Sequence, residues 1–369
     1  HENDYLYINQ KGKSFKNTIS SSIGHFSHFS MGNDIADINN DLLPDIFTLD
    51  MLPEDNLRQK LLMAPDNFEK FDFNLKVGWG HQYMRNMLQV NEGVEANSGN
   101  VHFSEMGQLA GISNTDWSWS ALFADYDNDG WKDLFITNGY LRDYTNQDFL
   151  KYMSDYVQNN QTAIQRENVL ELVQKMPSSN LTNYIFKNQK NAQFSNVTKD
   201  WGVNLNSNSN GATYADLDND GDLDLLVNNV NQPCFVYQNH SEKKKGDHNF
   251  VQVLLKGDSA NQFAIGSQIQ VFANRQQFSR YISPSRGFQS STEYKQTIGL
   301  GKSAKIDSIR IVWPNGTVSL IHRPTINSLV KIPISTAHKN EVKPLGRKPK
   351  TFFSEVKNNL ESHIENPYE

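Results

Sequence analysis

Three stretches of this chain repeat one acidic pattern: ADINNDLLPDI (Ala36–Ile46), ADYDNDGWKDL (Ala124–Leu134) and ADLDNDGDLDL (Ala215–Leu225). Aligned on the first aspartate, side-chain oxygens stand at positions 1, 3, 5 and 9. These are Asp37, Asn39, Asp41 and Asp45 in loop 1, Asp125, Asp127, Asp129 and Asp133 in loop 2, and Asp216, Asp218, Asp220 and Asp224 in loop 3. Carboxylates this close repel unless something neutralises them. A hard cation such as calcium takes about six to eight oxygens at roughly 2.3–2.6 Å, and a tight loop of alternating acids supplies most of them. Position 7, held by Leu43, Trp131 and Asp222, would add a backbone carbonyl. Glycine at position 6, Gly130 and Gly221, permits the sharp turn. Loop 1 has Leu42 there and Asn39 in place of an acid, so it loses an easy turn and a charge. The pattern predicts about three Ca2+ sites, with loops 2 and 3 carrying it in full.

The EF-hand begins the same way, but it needs a glutamate at position 12 and a helix on each side. Position 12 is Thr48, Ile136 and Val227. The flanks, SALFA and GATYA before and DIFTLDM, DLFITNG and DLLVNNV after, are apolar and rich in β-formers. The loops are therefore expected at the tips of β-hairpins. Paired aspartates also serve as catalytic carboxylates, but this spacing suits a metal cage better. No catalytic residues and no enzyme activity are expected.

A second repeat follows each loop at a distance: DYLYIN (Asp4–Asn9), NMLQVN (Asn86–Asn91), NYIFKN (Asn183–Asn188) and CFVYQN (Cys234–Asn239). Each unit reads strand, acidic loop, strand, variable connection, strand, turn, strand. That is the order of a propeller blade. The chain carries about three and a half such units, too few to close a ring alone. These residues resemble the FG-GAP (or VCBS) repeats of integrin α-subunit propellers and of many bacterial surface proteins. The resemblance covers 1–240 and implies an all-β, integrin-α-like β-propeller with calcium at the hairpin tips.

The loops recur at intervals of about 90 residues, longer than a bare blade needs. The extra length falls at about 51–84 and 140–181, and is partly helical. Val169, Leu170, Leu172, Val173 and Met176 share one helical face before Pro177. Because consecutive turns of an antiparallel sheet lie at opposite ends, both inserts should decorate the face away from the acidic loops. That face is the candidate binding surface, with Tyr140, Arg142, Asp143 and Tyr144 as the candidate partner-binding residues. A network that packs the insert onto the ring explains those four equally well.

From Asn249 the chain alternates apolar and polar residues, as in FVQVLLKG, GSQIQVFA and DSIRIVWPNGTVSLI. Residues 249–333 resemble an ASPIC/UnbV domain, the module that follows FG-GAP repeats in proteins similar to cartilage acidic protein. Gly266, RGFQSS (Arg286–Ser291), IGLG (Ile298–Gly301) and VWPNG (Val312–Gly316) carry the resemblance. It implies a small β-sandwich-like domain. Family members often carry His-Phe before GLG. Thr297 and Ile298 stand there instead, so no role for that histidine transfers. Residues 334–369 read as a polar, basic linker and the start of a further segment.

Composition bounds the rest. Net charge is −6 with clustered acids, the wrong sign for a phosphate-seeking surface, so nucleic acid is excluded as a partner. No apolar run approaches the length of a transmembrane segment. The single cysteine, Cys234, rules out an internal disulfide framework. It is expected buried in a strand. His25 and His28 read as ordinary strand histidines, and Trp117 and Trp119 as packing between blades rather than a sugar platform. The chain opens on His1 without a signal-peptide pattern, so it reads as a fragment of an exported protein. The resulting expectation is a calcium-binding extracellular or outer-membrane surface module. Close relatives of this architecture resemble Bacteroidota proteins that accompany SusC/SusD-type uptake assemblies. The partner implied is an outer-membrane or cell-surface protein, with a lectin-like glycan-binding protein as the alternative reading and a carbohydrate-active enzyme as the third.

Overall fold

Each acidic loop folds back between two antiparallel strands, and the blades grow from those hairpins. A computed structural model describes residues 4–10, 12–64, 67–95, 99–160, 166–179, 181–241 and 248–339. A half-blade comes first, β1 (Tyr7–Asn9) against β2 (Phe15–Asn17). The first full blade is β3 (Asn33–Ala36), β4 (Asp45–Thr48), β5 (Met87–Val94) and β6 (Val101–Glu105), paired in that order. The second is β7 (Ser118–Ala124), β8 (Asp133–Asn138), β9 (Tyr184–Asn188) and β10 (Phe194–Asn196). The third is β11 (Ser209–Ala215), β12 (Asp224–Asn229) and β13 (Phe235–Tyr237). The predicted strand order is therefore observed. The run DLFITN of β8 is buried at every position, as expected of a strand covered on both faces.

Neighbouring blades share cores. Phe47 of β4 and Phe123 of β7 meet edge to face, with ring centroids 5.8 Å apart, between the first and second blades. Leu122, Phe135, Tyr214, Leu225 and Val227 fill the space between the second and third.

The C-terminal domain contains β14 (Asn249–Lys256), β15 (Gln268–Ala273), β16 (Gln276–Tyr281), β17 (Ser285–Arg286), β18 (Ser290–Ser291), β19 (Gln296–Gly301), β20 (Ser308–Val312), β21 (Val318–His322) and β22 (Leu329–Pro333). Its two larger sheets, β19-β14-β22 and β16-β15-β20-β21, close on one core that includes Val253, Val271, Ile311 and Trp313. This is the expected sandwich-like arrangement. Asn315 and Gly316 make the predicted turn between β20 and β21, with Gly316 at φ 82°. Domain structure continues past the expected boundary at 333. Ile334–Thr336 form a 3-10 turn, and His338 bridges Val318. The remainder of the expected linker and further segment, 340–369, lies outside the described residues.

Among the described residues five sheets have three or four strands, and they form a five-blade propeller-like arrangement. The sequence repeats account for three of the five sheets and the C-terminal domain for two.

The C-terminal domain is anchored by the RGFQSS hairpin, which reaches the first strands of all three blades. Gly287 bridges Asn33 of β3. The Phe288 N–H donates to Ser120 Oγ of β7 at 3.2 Å. Thr213 Oγ of β11 donates to the Ser291 carbonyl at 2.7 Å. Gly287 is at φ 66°, and a Cβ there would collide with Ser120, so glycine is required twice over. Arg286 forms a bidentate pair with Asp34, Nε to Oδ1 at 2.6 Å and Nη2 to Oδ2 at 2.5 Å. Asp34 Oδ2 also accepts the Phe123 N–H at 2.7 Å. Burial opposes the charge on Arg286, and Asp34 more than restores it. Arg286→Ala would leave Asp34 buried and unpaired, so a loss of about 3–5 kcal/mol is expected in denaturant unfolding. A change under about 1 kcal/mol would remove this pair from the account of domain docking.

Candidate metal centres

The three loops share one hydrogen-bond plan, set by the backbone before any ion is considered. The position-6 N–H donates to the position-1 carboxylate: Leu42 to Asp37 at 3.1 Å, Gly130 to Asp125 at 2.9 Å and Gly221 to Asp216 at 3.2 Å. The position-7 N–H donates to position 5, from Leu43 to Asp41, Trp131 to Asp129 and Asp222 to Asp220, at 2.7–3.2 Å. Position 9 accepts twice. Oδ2 takes the position-2 N–H, and Oδ1 takes the N–H of the asparagine that ends the YIFKN-type repeat. That donor is Asn91 for Asp45, Asn188 for Asp133 and Asn239 for Asp224, at 2.8–2.9 Å. The asparagine amides then donate to the position-8 carbonyls of Pro44, Lys132 and Leu223. The terminal asparagine of YIFKN-type repeats is thus a clamp on its loop.

Two positions of each loop turn left-handed. Position 4 is asparagine throughout, Asn40, Asn128 and Asn219, at φ 56–62°, a conformation asparagine tolerates. Position 6 is glycine at φ 93° and 97° in loops 2 and 3 but Leu42 at φ 73° in loop 1, where a branched side chain costs about 1–2 kcal/mol. Asn40 Nδ2 donates to the Gly130 carbonyl at 3.0 Å, and Asn128 Nδ2 to the Gly221 carbonyl at 2.9 Å. The loops are therefore laced side by side at one end of the blades.

Loops 2 and 3 fit a divalent cation. The position-1 atoms Asp125 Oδ1 and Asp216 Oδ1 are buried and have no hydrogen-bond donor, a costly state for a carboxylate unless a cation meets it. Oxygen atoms of Asp125, Asp127 and Asp133 gather within 4.8 Å of one another, as do those of Asp216, Asp218 and Asp220. Loop 1 is arranged differently. Asp37 Oδ1 accepts the Asp41 N–H at 3.1 Å, and its Oδ2 accepts Ser279 Oγ at 2.7 Å. Asn39 Nδ2 binds Asp41 at 3.0 Å, and the ammonium of buried Lys132 donates to the Asp37 carbonyl. Among the described residues Asp37, Asp41 and Asp45 do not form such a carboxylate group, so the geometry groups acids at two of the three expected sites.

The remaining expected site residues are placed as follows. Tyr140 stacks on Trp117, with centroids 4.5 Å apart, and packs against Trp119 and Tyr144. Arg142 donates to the Met176 carbonyl at 3.1 Å. Asp143 is buried beside Arg58, accepts Ser179 Oγ at 2.7 Å, donates its N–H to the Pro177 carbonyl at 2.8 Å and accepts the Asn146 N–H at its own carbonyl at 3.0 Å. Arg58 also pairs with Asp116, Nε to Oδ2 at 2.6 Å. These side chains tie the two inserts to each other and to the ring, and Tyr144 stays partly exposed. His25 packs against His81 and Tyr83, whereas His28 packs against Phe29, in different surroundings. Cys234 corrects its expected burial. It is exposed, in the loop before β13, because the chain bends at 230–232 and the strand starts only at Phe235. In the second insert the predicted helix is present (Arg166–Lys175), but of its apolar face only Leu172 is fully buried.

Residues 173–227 match the family model of the FG-GAP-like repeat, and residues 257–340 match that of ASPIC and UnbV. The chain carries FG-GAP-like repeats and an ASPIC/UnbV domain. No curated protein matches it. The FG-GAP match ends within the blade that holds loop 3, and loops 1 and 2 reproduce that loop's hydrogen bonding. FG-GAP repeats typify extracellular or surface proteins. No helix among the described residues is long and apolar enough to cross a membrane.

Burial, reinforced by neighbouring acids, raises some of the FG-GAP carboxyls, Asp45 and Asp125 among them. Asp45 rises from 3.8 to about 7, and Asp125 to about 8 through burial and the charges of Asp129 and Asp127. Without metal the folded state therefore holds protons that the unfolded chain has already released. Stability should fall as pH rises from about 4.5 to 7, the window between the ordinary and raised values. Thermal melts in chelator at those two pH values check the sign. A metal-free chain more stable at pH 7 would contradict it.

Proposed function

We propose that the chain is a calcium-binding, non-enzymatic recognition module of the cell surface, accessory to an outer-membrane assembly. One observation carries the metal reading: the two buried position-1 oxygens, Asp125 Oδ1 and Asp216 Oδ1, have no donor while three carboxylates converge around each loop. Asp125, Asp127, Asp129 and Asp133, with the Trp131 carbonyl, would hold one ion. Asp216, Asp218, Asp220 and Asp224, with the Asp222 carbonyl, would hold the other. Bound calcium neutralises the repelling acids and fixes the hairpin tips. Lys187, paired with Asp127 and 3.3 Å from Asp129 Oδ2, supplies part of the counter-charge in loop 2.

Recognition is assigned to the inserts. Their helices α1 (Asn56–Leu62), α2 (Phe68–Lys76), α3 (Gln147–Asn160) and α4 (Arg166–Lys175) leave Leu57, Phe68, Phe73, Leu150 and Leu170 exposed. Apolar anchors spread over a broad face suit a protein partner. The aromatic group of Trp117, Trp119 and Tyr140 is packed ring on ring. The resemblance to proteins that accompany SusC/SusD-type assemblies makes the partner an outer-membrane protein.

At a calcium concentration a hundred times the dissociation constant, each bound ion adds about 2.7 kcal/mol. The melting temperature should fall by several degrees in chelator, and Asp125→Asn should abolish about half of that shift. An unchanged melting temperature would end the structural-metal reading. Affinity purification from native membranes in calcium should retain one outer-membrane protein. Retention of free oligosaccharide without a protein would turn the assignment to glycan binding.

A further inference from the structure

The two acidic groups differ in access. In loop 2 the three converging carboxylates, Asp125, Asp127 and Asp133, are all buried. In loop 3 only Asp216 is buried, while Asp218 is exposed. The cover over loop 2 comes from the ASPIC/UnbV domain. Strand β19, the IGLG stretch, lies so close that a Cβ on Gly299 would collide with the Asp125 carboxylate and the Asn128 backbone. Gly301 donates its N–H to the Asn128 carbonyl at 2.9 Å. The Phe278 ring lies where a Cβ on Gly130 would go. Over loop 3 the same domain holds only the inner edge. Lys295 Nζ sits 3.3 Å from Asp216 Oδ2 and 3.2 Å from Asn219 Oδ1, and Phe250 packs on Gly221. The outer acids are left open to water.

The geometry points to one locked and one exchanging metal site, with the ASPIC/UnbV domain as the lock. This rests on the calcium reading above. An ion held by Asp125, Asp127 and Asp133 leaves only when β19 lifts from loop 2, whereas an ion in loop 3 leaves past Asp218 and Asp220 with the domain seated. Loop 2 is then a structural site that ties the domain to the ring. Loop 3 is the site that answers to external calcium.

The full chain, loaded with calcium and mixed rapidly with a chelating dye, tests this. Two release phases of equal amplitude are expected, the slow one at least about tenfold slower because it waits on a conformational opening. Asp218→Ala should remove the fast phase alone. Gly299→Ala, which drives a methyl group into the loop 2 carboxylate, should accelerate the slow phase alone. Should that variant fail to fold, hydrogen exchange of the unaltered chain decides: Gln296–Gly301 should lose protection in chelator at the rate of the slow phase. Release in a single phase, or a slow phase with β19 still protected, overturns the lock while leaving the calcium reading intact. A chain that takes up no calcium overturns both.

Discussion

Carboxylates crowded at one end of the blades are the constraint on which the rest of this structure depends. Position 1 of each loop lies almost fully out of water, and in loops 2 and 3 one of its oxygens has no donor. The surrounding backbone is committed to the other oxygens. Left-handed asparagines at position 4, glycines at position 6 and the clamp of Asn91, Asn188 and Asn239 aim N–H groups at the acids and hold the turn open. The loops therefore do not collapse on themselves, and they present oxygen at a defined radius, which is what a hard cation requires.

Loop 1 shows the alternative solution to the same problem. There a serine from the second domain, an asparagine in place of an acid and the ammonium of Lys132 replace much of what an ion would do. Lys132 is itself held down to about 7 by burial and by Arg280. The same side chain shows how tightly charge is balanced at the boundary between ring and domain. Arg280 is buried opposite Asp125, and Arg286 is buried on Asp34. Each cation comes from the strand or hairpin that the ASPIC/UnbV domain lays against the blades.

The second domain is for this reason part of the propeller's architecture rather than a separate bead on the chain. Its recognisable motifs, RGFQSS and IGLG, are among the segments in contact with the ring. Their glycines mark where another backbone approaches too closely for a side chain. The inserts obey a different logic at the opposite end. They are pinned by Arg58 to Asp116 and Asp143 and keep much of their apolar surface outward.

What the sequence determined by itself was local. Repeated acid spacing, β-forming flanks and a terminal asparagine established the hairpin loops, the strand order within blades, the helix before Pro177 and the turn at Asn315–Gly316. Each depends on residues close along the chain, where spacing alone dictates geometry. The tertiary structure decided whatever depends on partners far away in sequence. Ser279 is 242 residues from Asp37, and Arg286 is 252 from Asp34. Long-range contacts of this kind occupy the Asp37 carboxylate in loop 1 and bring Gly299 against Asp125 in loop 2. Cys234 differs for the same reason: the repeat motif starts at Cys234, whereas pairing with the neighbouring strand begins only at Phe235 and leaves the thiol in the loop outside it. Chemistry was legible where it is written in one loop, and illegible where two distant segments must meet to balance a charge.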